Sequence, residues 1–180
     1  MDLLKSKYFA LWAVFVVVLL ISARPPLPID PDLGLPGYAT KKVYKSLTDL
    51  WPEKQLSIET TSRVVKSKTL FRLLNDDHPF AYMYIAEARS KFDLFTYMVV
   101  YDKLLVIKDI RVLIYREDYG GEIASKRWLK QFNGKRRVDQ MQFESNIRNI
   151  SGATISARSI TEGVQRLTKE INRLKDEGKL

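Results

Sequence analysis

The sequence predicts an α+β domain, an antiparallel sheet with flanking helices, preceded by one N-terminal transmembrane helix. Three observations support this prediction. A short helical segment is followed by a run of strand-like segments, and a long amphipathic helix comes last. This order is typical of α+β domains and not of repeating βαβ units. The sequence also lacks GxGxxG and GxxxxGK[ST], so it gives no support to a Rossmann or P-loop nucleotide site.

The N-terminal segment is apolar enough to enter a membrane. Residues 8–23 read YFALWAVFVVVLLISA and contain no charge. A spanning helix needs roughly 17–25 such residues, so a cleaved signal peptide is the alternative, although Ile21 stands where a small residue is preferred for cleavage. In both cases the positive-inside rule keeps Lys5 and Lys7 in the cytoplasm. We therefore expect residues 1–23 to be a membrane anchor or signal segment, single-pass in the cytoplasmic (inner) membrane, with the domain on the extracytoplasmic side.

The segment that follows is predicted to be a linker. Residues 24–38 contain five of the seven prolines. In the polyproline II conformation, at ~3.1 Å per residue, a segment of this length would reach ~45 Å and hold a domain clear of a bilayer. The folded domain is then expected to run from residue 39 to residue 180.

Hydrophobic spacing predicts a helix at the start of the domain and a short one later. Val43, Leu47 and Leu50 recur at i, i+4 and i+7, which indicates a helix over Thr40–Leu50. Lys126–Phe132 is the short helix, with the preceding serine, Ser125, as a candidate N-cap.

The last helix has the clearest pattern in the chain. Its apolar stripe is formed by Ile160, Val164, Leu167, Ile171 and Leu174. Steps of three and four residues are typical of an amphipathic helix. Ser159, with Glu162 three residues on, fits a capping box, so we expect the helix to begin there.

The middle of the chain is rich in β-branched and aromatic residues, which favours strands. Strands are predicted over Phe80–Ala88, Leu94–Tyr101 and Leu104–Tyr115. In the first of these, Tyr82 and Tyr84 share one side of the strand, and Met83 and Ile85 share the other. The dipeptide 102–103 is expected to join the other two strands as a hairpin.

The residue types present exclude several kinds of chemistry. The chain has no cysteine, which rules out disulfides, iron–sulfur clusters, thiol nucleophiles and lipobox acylation. Its single histidine, His78, gives a multi-histidine metal site no ligands and is expected to lie in a solvated turn. We expect no catalytic residue and no metal site, which leaves carboxylate, hydroxyl or amine chemistry, or a cofactor that brings its own.

Positive charge is concentrated near the C-terminus. Residues 124–180 carry 13 basic and 6 acidic residues, which is +7 of the net +9. Such a region suggests a polyanionic partner: nucleic acid, an anionic membrane surface or a phosphate-bearing ligand. An extracytoplasmic location argues against nucleic acid. The basic run 135–137 is expected to be a solvated loop or a docking site for anionic lipid or a redox partner.

A small-residue loop stands directly before the long helix. It reads SGATIS over residues 151–156. A loop of this kind offers unpaired backbone N–H groups, the positive end of a helix dipole and close backbone approach at Gly152, which together favour an anion and usually phosphate. Thr154 and Ser156 add hydroxyl groups. The alternative is an ordinary capped start of a helix.

SGATIS resembles the flavinylation motif of FMN-binding domains that carry FMN covalently on threonine. Such domains occur in flavoprotein subunits of the sodium-pumping NADH:quinone reductase and the Rnf complex, and in the extracytoplasmic domain of the nitrous-oxide-reductase regulator. Two upstream segments are also similar to this family: YREDYGGEI at residues 115–123 and WLKQFNGK at 128–135. The resemblance covers roughly residues 50–174 and is strongest from Tyr115 onward.

The resemblance implies that FMN is attached to Thr154 through a phosphoester, by a flavin transferase that takes the FMN from FAD. The motif residues expected beside the phosphate are Ser151, Gly152, Ala153 and Ser156, with Arg158 as a neutralising cation. The residues expected to border the flavin ring are Glu117, Asp118, Tyr119, Gly120 and Gly121, for which a plain turn is the alternative. Trp128 is expected either to stack on the ring or to lie in the core.

The resemblance further implies an extracytoplasmic electron carrier rather than a stand-alone enzyme. Its partners would be the flavin transferase and a membrane or periplasmic redox partner. The alternative function is a sensory or assembly module on the same fold that carries no flavin.

Overall fold

The computed structural model describes residues 32–65 and 68–180. The predicted anchor, residues 1–23, and the first part of the predicted linker lie outside the described residues. Within the described ranges, no helix is both long enough and apolar enough to cross a membrane.

The domain is built on one five-stranded antiparallel sheet. Its strands are β1 (Leu56–Val65), β2 (Lys68–Asn75), β3 (His78–Arg89), β4 (Leu94–Asp102) and β5 (Ile107–Ile114). They lie in the sheet in the same order as in the chain, and each pairs antiparallel with the next. Such a meander needs only short local connections between strands.

Helices cover both faces of this sheet. They are α1 (Gly37–Leu50), α2 (Lys126–Leu129) and α3 (Thr154–Asp176). Short 3-10 turns span Gly121–Ala124, Lys130–Phe132 and Val138–Met141. Helix α1 packs against β5 and α3 packs against β3, on opposite faces. The predicted α+β fold with an antiparallel sheet and flanking helices is confirmed.

Two hydrophobic cores result, one on each face of the sheet. Because successive side chains of a strand point to opposite faces, β3 contributes Tyr84 to the core under α3 and Met83 and Ile85 to the core under α1. This confirms the predicted sides of that strand. Leu33 is buried in the α1 core, so the last residues of the predicted linker contact the domain.

Two predicted boundaries are wrong by a few residues. Helix α1 begins at Gly37 and not at Thr40. Strand β5 begins at Ile107 and not at Leu104, because the β4–β5 connection is longer than two residues. Asp102 organises this turn: its carboxylate accepts hydrogen bonds from the backbone N–H groups of Leu104 (2.9 Å) and Val106 (3.0 Å).

The predicted start of the last helix is also wrong, with consequences for the loop before it. Helix α3 begins at Thr154, so Ser159 lies inside the helix and does not cap it. The Ser159 hydroxyl instead accepts a hydrogen bond from the backbone N–H of Arg89 (2.8 Å), which ties α3 to the end of β3. The predicted cap of the short helix is absent too, since the Ser125 side chain makes no capping hydrogen bond.

Candidate functional site

A cavity of about 680 Å³ lies at the end of the sheet where three segments meet. These are the β3–β4 turn, the segment that follows β5 and the N-terminus of α3. The lining residues are Lys91, Phe92, Tyr115, Arg116, Glu117, Asp118, Tyr119, Gly120, Gly152, Ala153, Thr154, Ile155 and Ser156. This volume is in the ordinary range for small-molecule and cofactor sites. The fold thus brings together two segments, 115–120 and 152–156, that the sequence analysis singled out separately.

Thr154 stands at the open N-terminus of α3. It is the first residue of the helix, and its side chain is exposed. The N-cap position is held by Ala153, so no side chain caps the helix, and the first turn contains no acidic residue. The first backbone N–H groups of a helix have no partner within the helix and carry the positive end of its dipole. This end of α3 therefore has the features of an anion site.

The hydroxyl of Thr154 is oriented by a neighbouring amide. Asn149 Nδ2 donates a hydrogen bond to Thr154 Oγ1 over 3.1 Å. Because the amide is the donor, the hydroxyl keeps its own proton available. Ser156, the second hydroxyl of the motif, is buried by contrast and lies 3.4 Å from the phenol oxygen of Tyr115. Of these two hydroxyls, Thr154 is the accessible one.

Two glycines let the walls of the cavity approach each other. Gly120 (φ +81°) and Gly152 (φ +82°) both have the left-handed backbone conformation that favours glycine. A Cβ on Gly120 would lie 2.6 Å from Tyr115 Oη and 3.5 Å from the carbonyl oxygen of Gly152. A Cβ on Gly152 would lie 3.2 Å from a carboxylate oxygen of Glu122. A larger residue at Gly120 would displace the Tyr115 phenol, and one at Gly152 would crowd the Glu122 carboxylate.

The segment after β5 is held by Tyr115. Its phenol donates a hydrogen bond to the carbonyl oxygen of Tyr119 over 3.0 Å, closing the 115–120 loop. The same phenol faces Ser156 on α3, so it links the loop to the helix. The ring of Tyr119 remains 85% exposed although it lines the cavity.

Glu117 connects this segment to the β3–β4 turn. Its Oε1 accepts hydrogen bonds from the Ser90 hydroxyl and from the backbone N–H groups of Phe92 (2.7 Å) and Asp93 (2.8 Å). The Ser90 hydroxyl, followed by the Phe92 N–H, lowers the pKa of the Glu117 carboxyl from its usual value. The hydrogen bonds from the turn therefore favour the ionised form of Glu117.

The rim of the cavity is apolar and exposed. Phe92 is 78% exposed and Ile155 52% exposed, and both line the cavity together with the ring of Tyr119. Lys91 Nζ lies 4.9 Å from the centroid of the Phe92 ring. Sequence reasoning missed Lys91, Phe92, Ile155 and Asn149. The available signal was Phe92, a large aromatic residue inside an otherwise polar turn.

Three residues that the sequence analysis assigned to the site stand outside the cavity lining: Ser151, Gly121 and Arg158. The Arg158 guanidinium lies 3.7 Å from the Glu144 carboxylate and over the ring of Phe143, at 4.7 Å from its centroid. Trp128 is buried, and its indole N–H donates to the carbonyl oxygen of Arg148 over 2.7 Å. Trp128 thus belongs to the core, which is the alternative weighed against stacking.

The basic C-terminal region forms a second, larger concavity. A groove of about 780 Å³ runs along the later half of α3. Its cations are Arg136, Arg137, Arg166, Lys169 and Arg173. Arg137, Arg166 and Arg173 each pair with a nearby carboxylate, so their charge is partly neutralised on the surface. Over residues 32–65 and 68–180, there is no group of three or more side chains suited to hold a metal ion.

The part of the chain that forms most of the cavity matches a known protein family. A search of curated proteins found no match to the chain. Residues 93–169 match the family model described as the FMN-binding domain. The matched segment contains β4, β5, the 115–120 loop and the first part of α3, and thus all cavity-lining residues except Lys91 and Phe92. Residues 93–169 of this chain are therefore similar to the FMN-binding domain family.

Proposed function

We propose that this chain binds flavin and is an extracytoplasmic electron carrier, with FMN held covalently on Thr154 through a phosphoester. The observation that carries the proposal is the position of Thr154. Its exposed hydroxyl stands on the first turn of α3, at an uncapped helix N-terminus, inside a cavity with apolar rim residues. A flavin transferase would supply the FMN from FAD.

The residues of the site fit the two halves of FMN differently. The N-terminal backbone N–H groups of α3 suit a phosphate, because they are donors without a helical acceptor and carry positive partial charge. The rings of Phe92 and Tyr119 and the side chain of Ile155 suit a flat aromatic ring, which they would shield from water. Gly152, in its left-handed conformation, leads the backbone of residues 152–154 along the cavity wall.

The residue types of the chain are consistent with a bound cofactor that carries the redox chemistry. With no cysteine and a single histidine, the sequence offers few groups for redox chemistry. Bound flavin would supply the electron transfer, while the protein supplies position and electrostatics. We expect the loaded protein to exchange electrons with small mediators or a protein partner and to turn over no organic substrate alone.

Attachment is tested by co-expression with a flavin transferase. The wild-type chain should remain fluorescent on a denaturing gel, and its mass should increase by one FMN less one water. Thr154→Ala should lose both signals. Ser156→Ala should keep them, because Ser156 is buried against Tyr115 and Thr154 is accessible.

The same experiment can contradict the proposal in two ways. A folded wild-type chain with no added mass would favour the alternative, a sensory or assembly module without covalent flavin. Covalent flavin that persists in Thr154→Ala and disappears in Ser156→Ala would show that Ser156, and not Thr154, is the acceptor.

We further propose that residues 1–23 anchor the domain to the cytoplasmic membrane, with the domain on the extracytoplasmic side and a membrane or periplasmic redox partner. The supporting observation is the uncharged run 8–23 behind Lys5 and Lys7. A reporter fused after Leu180 should be active outside the cytoplasm, and the protein should resist carbonate extraction. Release into the soluble fraction with a new N-terminus near Arg24 would identify a cleaved signal, and an active cytoplasmic reporter would overturn the topology.

A further inference from the structure

We propose that Phe92 forms one wall of the subsite for the flavin ring, and that Glu117 is the positioning residue that holds Phe92 there. This inference rests on the proposed function, because it needs a flavin attached at Thr154. It changes the role that the resemblance implies for Glu117, from a residue that borders the ring to one that acts through the β3–β4 turn.

The first step is the way the turn is built. Residues 90–93 connect β3 to β4, and the backbone N–H of Ser90 donates to the carbonyl oxygen of Asp93 over 2.8 Å. Ser90 is almost completely buried beneath the turn. Neither this hydrogen bond nor the burial of Ser90 fixes the direction of the Phe92 side chain, which is exposed.

The second step is the carboxylate that holds the tip. Glu117 lies beyond β5, and its Oε1 accepts three hydrogen bonds from the turn: one from the Ser90 hydroxyl and two from the backbone N–H groups of Phe92 and Asp93. Hydrogen bonds to an ionised acceptor are stronger than neutral ones. The lowered pKa of Glu117 has the same origin. The bond to the Phe92 N–H fixes the backbone of Phe92 relative to the 115–120 loop.

The third step is what the held turn presents. Six large apolar residues are exposed in the described part of the chain: Tyr38, Phe92, Leu94, Leu104, Tyr119 and Ile155. Three of them, Phe92, Tyr119 and Ile155, line one cavity. Apolar surface held open to water is unfavourable unless a ligand covers it, and grouping of such residues marks a binding site. A flat aromatic ring is the ligand that an exposed phenylalanine and an exposed tyrosine suit best.

A tryptophan at position 92 makes the geometry measurable. An indole in contact with a flavin quenches its fluorescence, because an electron passes from the indole to the excited flavin and then returns. Flavinylated Phe92→Trp should therefore be several-fold less fluorescent than the flavinylated wild type. The control is Leu104→Trp, since Leu104 is also exposed but follows the opposite end of β4, roughly 25 Å away at ~3.3 Å per residue. Its fluorescence should match that of the wild type.

The role of Glu117 is tested in the Phe92→Trp background. Adding Glu117→Gln keeps the size of the side chain and removes the charge that strengthens the three hydrogen bonds. Quenching of the flavin should therefore decrease, and the distribution of flavin fluorescence lifetimes should become broader. Glu53→Gln removes the same charge from an exposed residue outside the cavity lining, and quenching should be unchanged in that control. Circular dichroism and the covalently bound flavin content show whether each variant is folded and loaded.

The outcomes separate this inference from the proposed function. A folded wild-type chain without covalent flavin would overturn both. A flavinylated Phe92→Trp protein as fluorescent as Leu104→Trp would overturn the assignment of Phe92 while the proposed function stands. Strong quenching that Glu117→Gln leaves unchanged would assign Phe92 to the ring subsite and reject Glu117 as its positioning residue.

Discussion

The shape of the cavity depends on single residues, and Gly152 is an example. Its backbone has φ +82°, and a Cβ there would meet the Glu122 carboxylate. The position therefore excludes a side chain for two separate reasons, one conformational and one steric. Gly134 shares only the first reason, because it has φ +80° with open space around it.

This pair of glycines gives a matched prediction. Gly134→Ala should cost about 1–2 kcal/mol, the usual penalty for a left-handed alanine. Gly152→Ala should cost up to about 0.5 kcal/mol more, because the exposed Glu122 side chain must also move. Urea unfolding of the two variants measures the difference. Equal losses of stability would mean that Glu122 yields without cost and that the close packing at Gly152 is not tight.

Residues of the site were predictable from the sequence only where a motif marked them. Thr154, Gly152 and Gly120 belong to recognisable segments, and the structure brings them to one cavity. Phe92 lies outside those segments, and its place in the same cavity as Thr154 depends on how β3, β4 and α3 pack. Arg158 shows the reverse case, since sequence proximity suggested a phosphate partner and the fold pairs it with Glu144.

At the scale of elements, the close packing of α3 against the sheet depends on one small residue. Gly163 lies in the middle of α3, buried directly over the phenol of Tyr97 on β4. A Cβ at this position would collide with Tyr97 Oη and lie 3.3 Å from Tyr97 Cζ. A glycine inside a helix costs about 0.5–1 kcal/mol relative to alanine, so the close contact has to compensate for that cost.

The packing predicts an unusual sign for a helix substitution. Gly163→Ala, which stabilises most helices, should here destabilise the protein by about 1–3 kcal/mol because it overpacks the interface. Tyr97→Phe removes the oxygen that the new methyl group meets. In the double variant, Gly163→Ala should therefore cost much less than it does alone, and a double-mutant cycle from thermal or urea unfolding measures this coupling. Additive effects would mean that α3 shifts to avoid Tyr97.

Elements were predictable where their apolar residues were large. The stripe from Ile160 to Leu174 predicted the body of α3, but its first turn is buried through Ser156 and Ala157, which are too small to register as a stripe. The start was therefore placed at Ser159, whose hydroxyl serves β3 instead. The strand-rich middle was recognised, yet β1 and β2 were not delimited, since their pattern is more polar.

For the whole molecule, burial of phenols on the α3 face links stability to alkaline pH. Tyr97 and Tyr101 are both buried in that core. Burial raises the pKa of each phenol above its ordinary value of 10.0. In the unfolded chain these phenols ionise near pH 10, while in the folded protein they stay protonated. The unfolded state therefore binds fewer protons than the folded state above this pH, and stability falls as the pH rises.

The expected slope can be measured by urea unfolding between pH 9 and 11.5. Each buried phenol should contribute up to about 1.4 kcal/mol of lost stability per pH unit above ~10. Tyr97→Phe and Tyr101→Phe should each reduce the slope, whatever their effect at neutral pH. Tyr119→Phe is the control, because its ring is exposed, and it should leave the slope unchanged. If neither core variant flattens the curve, other groups cause the alkaline loss.

The order of strands in the sheet also bears on the order in which the parts of the cavity are synthesised. Each strand from β2 to β5 pairs with the strand synthesised just before it, so every new strand finds its partner already present. Two walls of the cavity, the β3–β4 turn and the 115–120 loop, are complete before residue 151 is made. Thr154 follows them in the chain, at the start of the helix that completes the cavity. The residue proposed to accept the flavin therefore belongs to the last part of the cavity to be synthesised.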